Sequence, residues 1–371
     1  MNRDPHDSLP DLEPADWRLT RTLFDRLLDA DESDRVALLA PYAEDDPVRR
    51  AAERLVRALA DVGGFMDTDD AEGAANEAAP AELPSDVISG YDLRERLGEG
   101  AFGVVYRARQ LEPIERDVAI KLLRPGFVSP QVLSRFWGEH GYLAQVDHPD
   151  VVKVLDAGTT ADGRSYIVME LIRGVPITSF ASERGLSIDD RMRLMVRVCR
   201  AVQAVHQSAI IHRDLKPTNI LVSEDDGSPR PRVIDFGVAT AIDAAERSGW
   251  TCIGQPIGTP RYASPEQSSS GAAIGTRADV YALGVVLCEL LTGSRPREDA
   301  LGVASRQARP PSQLARLESE ARKFRGDLDR IVLKAVSWDA ELRYGSAAEL
   351  ADDLERFLAG LPVRATPPGT V

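Results

Sequence analysis

Four ionisable residues stand close together in one short stretch of the chain, between apolar neighbours. In AIIHRDLKPTNILV, residues 209–222, the charged or titratable positions are His212, Arg213, Asp214 and Lys216. Burying such groups costs free energy unless each has a partner or a ligand. The stretch therefore predicts a site whose partners come from other parts of the chain.

A second group of polar residues offers oxygen atoms to a hard cation. Asp235, Phe236 and Gly237 follow an apolar run typical of a strand, and an isolated Asp-Phe-Gly is as typical of a turn as of a site. Together with Asp214 and Asn219, however, it supplies two carboxylates and an amide oxygen. Such ligands suit Mg²⁺ shared with a triphosphate.

A glycine-rich stretch is the first candidate partner. Gly98, Gly100 and Gly103 form G-x-G-x-x-G, a weak signal by itself. A dinucleotide site would need these glycines to open a helix, whereas Val104 and Val105 follow and favour a strand. Two interpretations stay open: a plain glycine hairpin, or a flap whose backbone N–H groups approach phosphates because no Cβ blocks them.

A lysine downstream of the glycines is the second candidate. VAIK ends in Lys121, at the close of an alternating strand that points it inward if Ala119 faces the same side. A lysine there needs a carboxylate, and Glu139 on a predicted helix is the best candidate. Gly138 and Gly141 flank Glu139 and weaken that helix by roughly 1 kcal/mol each relative to alanine.

The elements that position these residues change character along the chain. Residues 16–65 predict three short helices, with Asp46 as the N-cap of the third. Short strand-like runs dominate from Tyr91, and helical periodicity dominates after about residue 187, which predicts two lobes with a cleft between them. The predicted boundaries are 1–66 for an acidic helical segment, 67–90 for an acidic linker, 91–171 and 172–361 for the two lobes, and 362–371 for a tail.

Composition and charge exclude several classes of protein. The 371 residues carry a net charge of −14, and residues 1–90 hold 9 Lys and Arg against 22 Asp and Glu, a net −13. Phosphate contact needs a basic face, so nucleic-acid binding is not expected. No apolar run reaches a membrane span and no signal peptide is apparent, so we expect a cytoplasmic protein. Three scattered cysteines argue against disulfides and zinc.

Taken in order, these motifs resemble those of the eukaryotic-like protein kinases, in the Ser/Thr branch found in bacteria. The resemblance covers Tyr91 to about Leu361. The matching motifs are GEGAFGVV at 98–105, VAIK at 118–121, a helical Glu139, HRDLKPTN at 212–219, DFG at 235–237, GTPRYASPE at 258–266 and DVYALG at 279–284. The resemblance implies an α+β bilobal protein kinase fold, with a small antiparallel β N-lobe containing one helix and a large, mainly helical C-lobe. A short all-α segment would precede it.

The resemblance also implies roles for the reactive residues. Lys121 would hold the α- and β-phosphates of ATP and pair with Glu139. Asp235 and Asn219 would bind Mg²⁺, while Asp214 would orient the acceptor hydroxyl and take its proton. Catalysis of this kind consists mainly of placement and electrostatics.

The rest of the predicted nucleotide site is apolar or backbone. Val105, Ala119 and Leu221 would enclose the adenine, and the backbone of Glu170 and Ile172 would bond its edge. The full set of predicted nucleotide-contacting residues is Leu97, Gly98, Gly100, Gly103, Val105, Ala119, Lys121, Met169, Glu170, Ile172 and Leu221. His212 and Phe236 are expected to pack with Leu143 rather than react.

Two features of the resemblance concern the substrate that accepts the phosphate and the regulation of the kinase. Lys216 and Thr259 match the Ser/Thr branch, so protein substrates with Ser or Thr acceptors are expected. Arg213 beside Asp214 suggests control by a phosphorylated residue in 238–257, because a buried guanidinium needs an anion. Thr251 is the first candidate and Ser248 the second.

Glu266 of SPE is expected to pair with Arg343 and lock the fold. The alternatives to an active Ser/Thr kinase are a scaffold that has lost activity, a phosphotransferase for small molecules, and a docking module for a partner on the N-terminal helices. The reactive residues are all present, which disfavours the first, and the complete GTPRYASPEQ segment disfavours the second.

Overall fold

The computed structural model describes most of the chain from residue 88 onwards. The described ranges are 88–100, 103–124, 146–160, 162–225, 227–236, 261–268, 274–297 and 307–366, with residues 23, 39, 41, 42, 46, 48 and 49 ahead of them. The chain divides into two compact units, Met1–Ala81 and Glu82–Val371.

The first unit contains helical positions where the sequence predicts them. Leu23, Leu39, Val48 and Arg49 have α-helical backbone. The carboxylate of Asp46 accepts hydrogen bonds from the backbone N–H of Val48 at 2.8 Å and of Arg49 at 3.4 Å. This is the N-cap geometry expected for Asp46. The other residues predicted to form these three helices lie outside the described residues.

The second unit begins with a five-stranded antiparallel sheet in the order β1-β2-β3-β5-β4. Its strands are β1 (Tyr91–Gly100), β2 (Gly103–Gln110), β3 (Arg116–Leu123), β4 (Val154–Thr159) and β5 (Ser165–Glu170). The single N-lobe helix expected near Glu139 falls within residues 125–145, outside the described part of the chain.

The alternation of strand β3 decides which side chains face the rest of the molecule. Val118 and Ile120 pack into an apolar cluster on one face of the sheet. Ala119 and Leu123 belong to a cluster on the other face, which also includes Ile234. Because side chains of a strand alternate, Lys121 shares the face of Ala119. The orientation expected for Lys121 is therefore confirmed.

The remainder of the unit is mainly helical. A small sheet in the order β6-β7-β8 consists of β6 (Val175–Pro176), β7 (Ile220–Asp225) and β8 (Ser228–Val233). The helices are α1 (Ile177–Glu183), α2 (Ile188–Gln207), α3 (Thr276–Thr292), α4 (Pro311–Leu314), α5 (Glu318–Phe324), α6 (Asp327–Ala335) and α7 (Ala347–Leu358). The predicted division into a β-rich front and a helical back is confirmed.

Helices α2 and α3 form the centre of the large core. Helix α2 is capped by Ser187, whose hydroxyl accepts a hydrogen bond from the backbone N–H of Asp190 at 3.2 Å. Helix α3 is apolar on nearly all sides, as expected of a helix enclosed by others, and almost every residue of it is buried. None of the helices in the described part of the chain is both long and apolar enough to cross a membrane.

The chain after helix α7 is attached to this core. The buried carboxylate of Asp353 accepts hydrogen bonds from the Tyr344 hydroxyl at 2.9 Å, the backbone N–H of Arg364 at 2.7 Å and that of Ala365 at 2.9 Å. Ala365 is itself buried. The first residues of the predicted tail at 362–371 thus pack on the helical lobe, and residues 367–371 lie outside the described residues.

Helix α3 approaches helix α6 closely at Gly284, and this generates a first prediction. A Cβ at Gly284 would lie 2.6 Å from the Cβ of Ala335 and 2.8 Å from Cγ1 of Val336. We expect Gly284→Ala to lower the free energy of unfolding because overpacking costs about 1–3 kcal/mol, more than the gain of about 1 kcal/mol in helix propensity. Urea unfolding, followed by circular dichroism, measures the change in the free energy of unfolding.

A double-mutant cycle distinguishes overpacking against Ala335 from a destabilisation that does not depend on this contact. Ala335→Gly removes the nearest obstructing methyl, so the double variant Gly284→Ala/Ala335→Gly should be more stable than the sum of the single changes. Strictly additive effects would contradict the packing argument.

Candidate active site

The segment that carries the four ionisable residues follows helix α2 and contacts the helical core at two positions. Ile210 and Leu215 are buried in the helical core, whereas the Asp214 side chain keeps 14% exposure. Ala209 and Arg213 have positive φ angles of 57° and 65°, which are unusual for residues with a Cβ and are maintained only by surrounding structure. The backbone is thus turned so that the Asp214 side chain stays partly exposed while Ile210 and Leu215 anchor the loop.

One buried carboxylate holds this backbone. Asp279, at the start of helix α3, accepts hydrogen bonds from the backbone N–H of His212 at 2.8 Å and of Arg213 at 2.9 Å. His206 Nε2 donates to the same carboxylate at 2.7 Å. Burial alone would raise the pKa of Asp279, but the hydrogen bond and charge of His206, with His212 nearby, outweigh it and lower that pKa.

Asp279 and His206 are positioning residues that sequence reasoning did not assign. A signal for Asp279 existed, because it is an acidic residue that opens the apolar segment DVYALG. Its partners could not be named from sequence, since His206 is at the end of helix α2 and the two N–H groups belong to a loop.

Arg213 is tied to the segment that follows the predicted phosphorylation region. Arg213 is buried, and its carbonyl accepts a hydrogen bond from Gln267 Nε2 at 2.9 Å. The other end of the Gln267 amide accepts from the backbone N–H and hydroxyl of Ser264 at 2.9 and 3.0 Å. Gln267, also missed from sequence, therefore joins residues 264–267 to the loop.

His212 has the packing role expected for it. Its ring lies 4.6 Å from the Phe236 ring, measured between centroids, and its Nε2 is 2.9 Å from the carbonyl oxygen of Ile234. The packing of His212 on Phe236 is confirmed. Leu143, the third residue expected in this group, lies outside the described residues.

Asp214 is surrounded by two of the polar residues predicted to accompany it. Lys216 Nζ is 3.0 Å from Asp214 Oδ2. Asn219 Nδ2 donates to the Asp214 carbonyl at 2.7 Å and to Oδ2 at 3.2 Å. These contacts orient the Asp214 carboxylate, and the 3₁₀ turn Pro217–Asn219 brings Asn219 back toward it.

Lys121 on strand β3 and Asp235, which follows strand β8, form an ion pair. Lys121 Nζ lies 2.7 Å from Asp235 Oδ1, and the lysine side chain is only 6% exposed. Burial raises the pKa of Asp235, but Lys121 outweighs this by its charge and hydrogen bond, so that the pKa falls below its usual range. Asp235 is therefore ionised at neutral pH. Its expected companion, the Lys121–Glu139 pair, involves a residue outside the described ranges.

The glycine-rich stretch is a hairpin between strands β1 and β2. Gly100 and Gly103 face each other across the strands, and a Cβ at Gly98 or Gly100 would meet nothing within 4 Å. At Gly103 the situation differs, because a Cβ would lie 2.2 Å from the carbonyl oxygen of Leu122 on strand β3. Of these three glycines, Gly98 and Gly100 thus border open space, while Gly103 is required for strand packing.

Most of the residues predicted to surround an adenine share one apolar cluster. Ala119 and Met169 are buried in it, with Val105 and Ile172 packed against it. Leu221 lies on strand β7 between Ile220 and Val222, which enter the helical core, so Leu221 faces the opposite side of that sheet. Leu97 is exposed on strand β1, and Glu170 ends strand β5.

The oxygen donors suit a magnesium ion. The backbone N–H of Ile234 donates to the carbonyl of Asn219 at 2.9 Å, which places Asp235 and Asn219 on neighbouring pieces of backbone. A carboxylate and an amide oxygen are ligands that Mg²⁺ accepts, completing its shell with water and phosphate. In the described part of the chain no three His, Cys, Asp or Glu side chains form a metal-binding group by themselves.

Several predicted site residues fall outside the described residues. They are Glu139, Gly237, Ser248, Thr251 and Thr259. Their assignments stay predictions.

The expected lock between Glu266 and Arg343 is present. Arg343 donates from Nη1 to Glu266 Oε1 at 2.7 Å and from Nη2 to Oε2 at 2.8 Å. Its guanidinium also donates to the carbonyls of Ser337 and Arg277 and lies 5.0 Å from the Tyr281 ring centroid. The pair is bidentate, with Arg343 buried and Glu266 partly buried, so it connects residues 264–267 to two parts of the helical lobe.

Comparison with known proteins agrees with this geometry. A family model described as protein kinase domain matches residues 91–351. The chain belongs to the protein kinase family. The expected α+β kinase fold is confirmed, and the residues described above lie in its kinase domain.

Related proteins support the bacterial Ser/Thr branch. Serine/threonine-protein kinase PknB of Mycobacterium tuberculosis is 39% identical over 293 residues, which cover 76% of this chain and 45% of PknB. Pkn1 of Myxococcus xanthus is 34% identical over 287 residues, or 75% and 40% of the two chains. The chain thus spans less than half the length of these relatives. The crystal structure of the M. tuberculosis PknI kinase domain matches with a TM-score of 0.56 and 26% identity, over 75% of this chain and all of that one.

The Glu266–Arg343 pair generates a prediction about pH. Burial raises the pKa of Glu266, but the hydrogen bond from Arg343 outweighs it and lowers that pKa. The stabilisation is therefore complete above the unfolded value of about 4.3 and is lost as pH falls through the lower folded value. Glu266→Gln should lower the free energy of unfolding by about 3 kcal/mol at pH 7.

Urea unfolding across pH 3 to 7 measures this difference. The gap between the wild type and Glu266→Gln should stay constant down to about pH 5 and narrow below about pH 4. Glu318→Gln is the matched control, since Glu318 pairs with Arg322 on an exposed surface at 3.6 Å and should change stability by less than about 1 kcal/mol. A gap that widened on acidification would contradict the assignment.

Proposed function

We propose that the protein is an ATP- and Mg²⁺-dependent serine/threonine protein kinase that transfers the γ-phosphate of ATP to Ser or Thr hydroxyls of proteins. The observation that carries the proposal is the arrangement of Asp214, held by Lys216 and Asn219, within a domain that also pairs Lys121 with Asp235. Membership of the kinase family and the names of its bacterial relatives support the same activity.

The nucleotide is assigned to the cleft beneath the glycine hairpin. Open backbone at Gly98 and Gly100 suits phosphates, and the apolar cluster around Ala119 suits an adenine ring. The backbone of Glu170 and Ile172 would bond the adenine edge, as the family resemblance implies. Lys121, buried on the same face as Ala119, would hold the α- and β-phosphates.

Asp235 and Asn219 would hold the metal. When bound, Mg²⁺ neutralises charge on the phosphate oxygens of ATP and helps to align them. The lowered pKa of Asp235 supports this assignment because an ionised carboxylate is the form that binds a cation. The ammonium of Lys121 stands in the same region and keeps Asp235 ionised when no other cation is close.

Asp214 is assigned to the acceptor hydroxyl. It would accept the proton of a Ser or Thr hydroxyl while that oxygen forms its bond to the γ-phosphorus and ADP leaves. Lys216, 3.0 Å from Asp214 Oδ2, keeps the carboxylate oriented and places positive charge near the transferring group. Thr259 is proposed, as in the Ser/Thr branch, to indicate specificity for Ser or Thr acceptors.

Other expectations stay predictions. Docking of a partner protein on residues 1–66 and a cytoplasmic location rest on the sequence alone.

Replacing the proposed proton acceptor tests the function. Asp214→Asn should reduce turnover by about 10²- to 10⁴-fold, since general-base catalysis contributes that much, while nucleotide binding persists. Transfer of radiolabel from ATP to a generic basic protein measures turnover. Asp352→Asn, remote on helix α7 and paired with Arg200, is the matched control and should retain activity. Near-normal turnover in Asp214→Asn would remove the assigned role.

Activation by phosphorylation is a separate proposal. Arg213 is buried in the loop next to Asp214, and a phosphothreonine in 238–257 would add a charge-assisted contact to its guanidinium. Thr251→Ala should lower activity, with Ser248→Ala as the comparison at the second candidate position. Phosphosite mapping of the wild type beside Asp214→Asn identifies sites made by the protein itself. An active enzyme with unmodified Thr251 would overturn this assignment.

A further inference from the structure

A cavity of about 440 Å³ lies beside Glu170, the last residue of strand β5, and four of its lining side chains are cationic. The cationic residues in its lining are Arg116, Lys153, Arg230 and Arg232. This volume falls within the range of small-molecule and peptide-side-chain sites. None of these four residues has a part in the phosphoryl transfer proposed above.

The two inner arginines come from the pattern SPRPRV in strand β8. Pro231 and Val233 are buried, whereas Arg230 and Arg232 are only partly buried. Since alternate residues of a strand share a face, both guanidinium groups lie on the same side, away from the helical core. Arg116 and Lys153 are more exposed and form the outer rim of the cavity.

The acidic groups in and below the cavity already have arginine partners. Asp117 accepts hydrogen bonds from Arg107, Arg109 and Arg173 at 2.9 to 3.2 Å. Asp150, beside the cavity, is bound by Arg197 at 2.5 Å and lies 3.6 Å from Arg230.

Two more acids stand near the cationic side chains. Lys153 pairs at 3.1 Å with Asp147, but both side chains are largely exposed, so this pair is weak. Glu170 adds one carboxylate to the lining. The lining contains four cationic side chains against the two carboxylates of Asp117 and Glu170, so the cavity is locally positive in a chain whose net charge is −14.

The wall also contains apolar residues. Pro149, Val151 and Leu155 contribute to it. Guanidinium groups bind carboxylates and phosphates in bidentate fashion, and an apolar wall gives no advantage to a bare inorganic anion. We propose that this cavity, named here the rear basic pocket, binds an acidic peptide segment of a protein partner. Its inner arginines hold anionic side chains, and its apolar wall packs on the peptide between them.

The rear basic pocket adjoins the proposed nucleotide site at two points. Glu170 lines the pocket, and its backbone belongs to the proposed adenine edge. Arg232 is the direct cross-strand partner of Leu221, the residue proposed beneath the adenine. A bound acidic peptide would therefore contact the supports of the nucleotide site without entering it. Binding in the pocket is independent of catalysis, so the test below bears on the pocket alone.

Fluorescence anisotropy with a labelled peptide tests the proposal. The probe is a fluorescein-labelled peptide of alternating Gly and Glu-Glu pairs, and the same peptide with Gln for Glu is its neutral counterpart. The wild type should bind the Glu probe at least 10-fold more tightly than the Gln probe. Arg230→Gln/Arg232→Gln should weaken Glu-probe binding at least 10-fold. Arg322→Gln/Lys323→Gln, which removes two exposed charges on helix α5, should change it by less than 2-fold.

Further variants keep the test decisive. If Arg230→Gln/Arg232→Gln fails to fold by circular dichroism, the rim variant Arg116→Gln/Lys153→Gln takes its place and should weaken binding at least 3-fold. Asp214→Asn should bind the probe as the wild type does. Equal binding by the pocket variants, equal binding of the Gln probe, or tighter binding of inorganic pyrophosphate than of the peptide would each overturn the proposal.

Discussion

The buried carboxylate of Asp279 is the interaction on which the arrangement of this site depends. An unpaired charge in that position would cost several kcal/mol, and three N–H donors from two separate segments offset that cost. In return the backbone of His212 and Arg213 is held in a conformation that it would not adopt alone, with φ 65° at Arg213. The partly exposed position of Asp214 follows from that constraint.

The same helix carries the other supports of the domain. Helix α3 carries Asp279 in its first turn, contacts helix α6 at Gly284, and presents Tyr281 to the guanidinium of Arg343. Arg343 in turn binds Glu266, and Gln267 next to it binds Arg213. The loop and the segment after it are therefore both tied to one apolar helix. A change in the packing of that helix would therefore displace the loop through the hydrogen bonds of Asp279 and Gln267.

Sequence patterns predicted much of this because they depend on short-range rules. Strand alternation placed Lys121 on the face of Ala119, and the structure confirms it. The Glu266–Arg343 pair and the packing of His212 on Phe236 were also expected from motifs and are present. Sequence patterns predicted less where long-range contacts decide. They did not indicate that Asp235 pairs directly with Lys121 or that a strand contact requires glycine at position 103. The roles of His206 and Gln267 were not predicted either.

By itself, the sequence determined which groups are available and the local structure around them: strands from alternation, helices from periodicity, and an ordered series of motifs that identifies a kinase. Only the tertiary structure decided which groups meet. Asp279 and His206 are far apart in sequence and gain their roles because α2 and α3 pack side by side. Likewise, Arg230 and Arg232 became one wall of a cavity because β8 turns that face toward β3 and β5. Buried charges need partners, and folding brings those partners from distant positions.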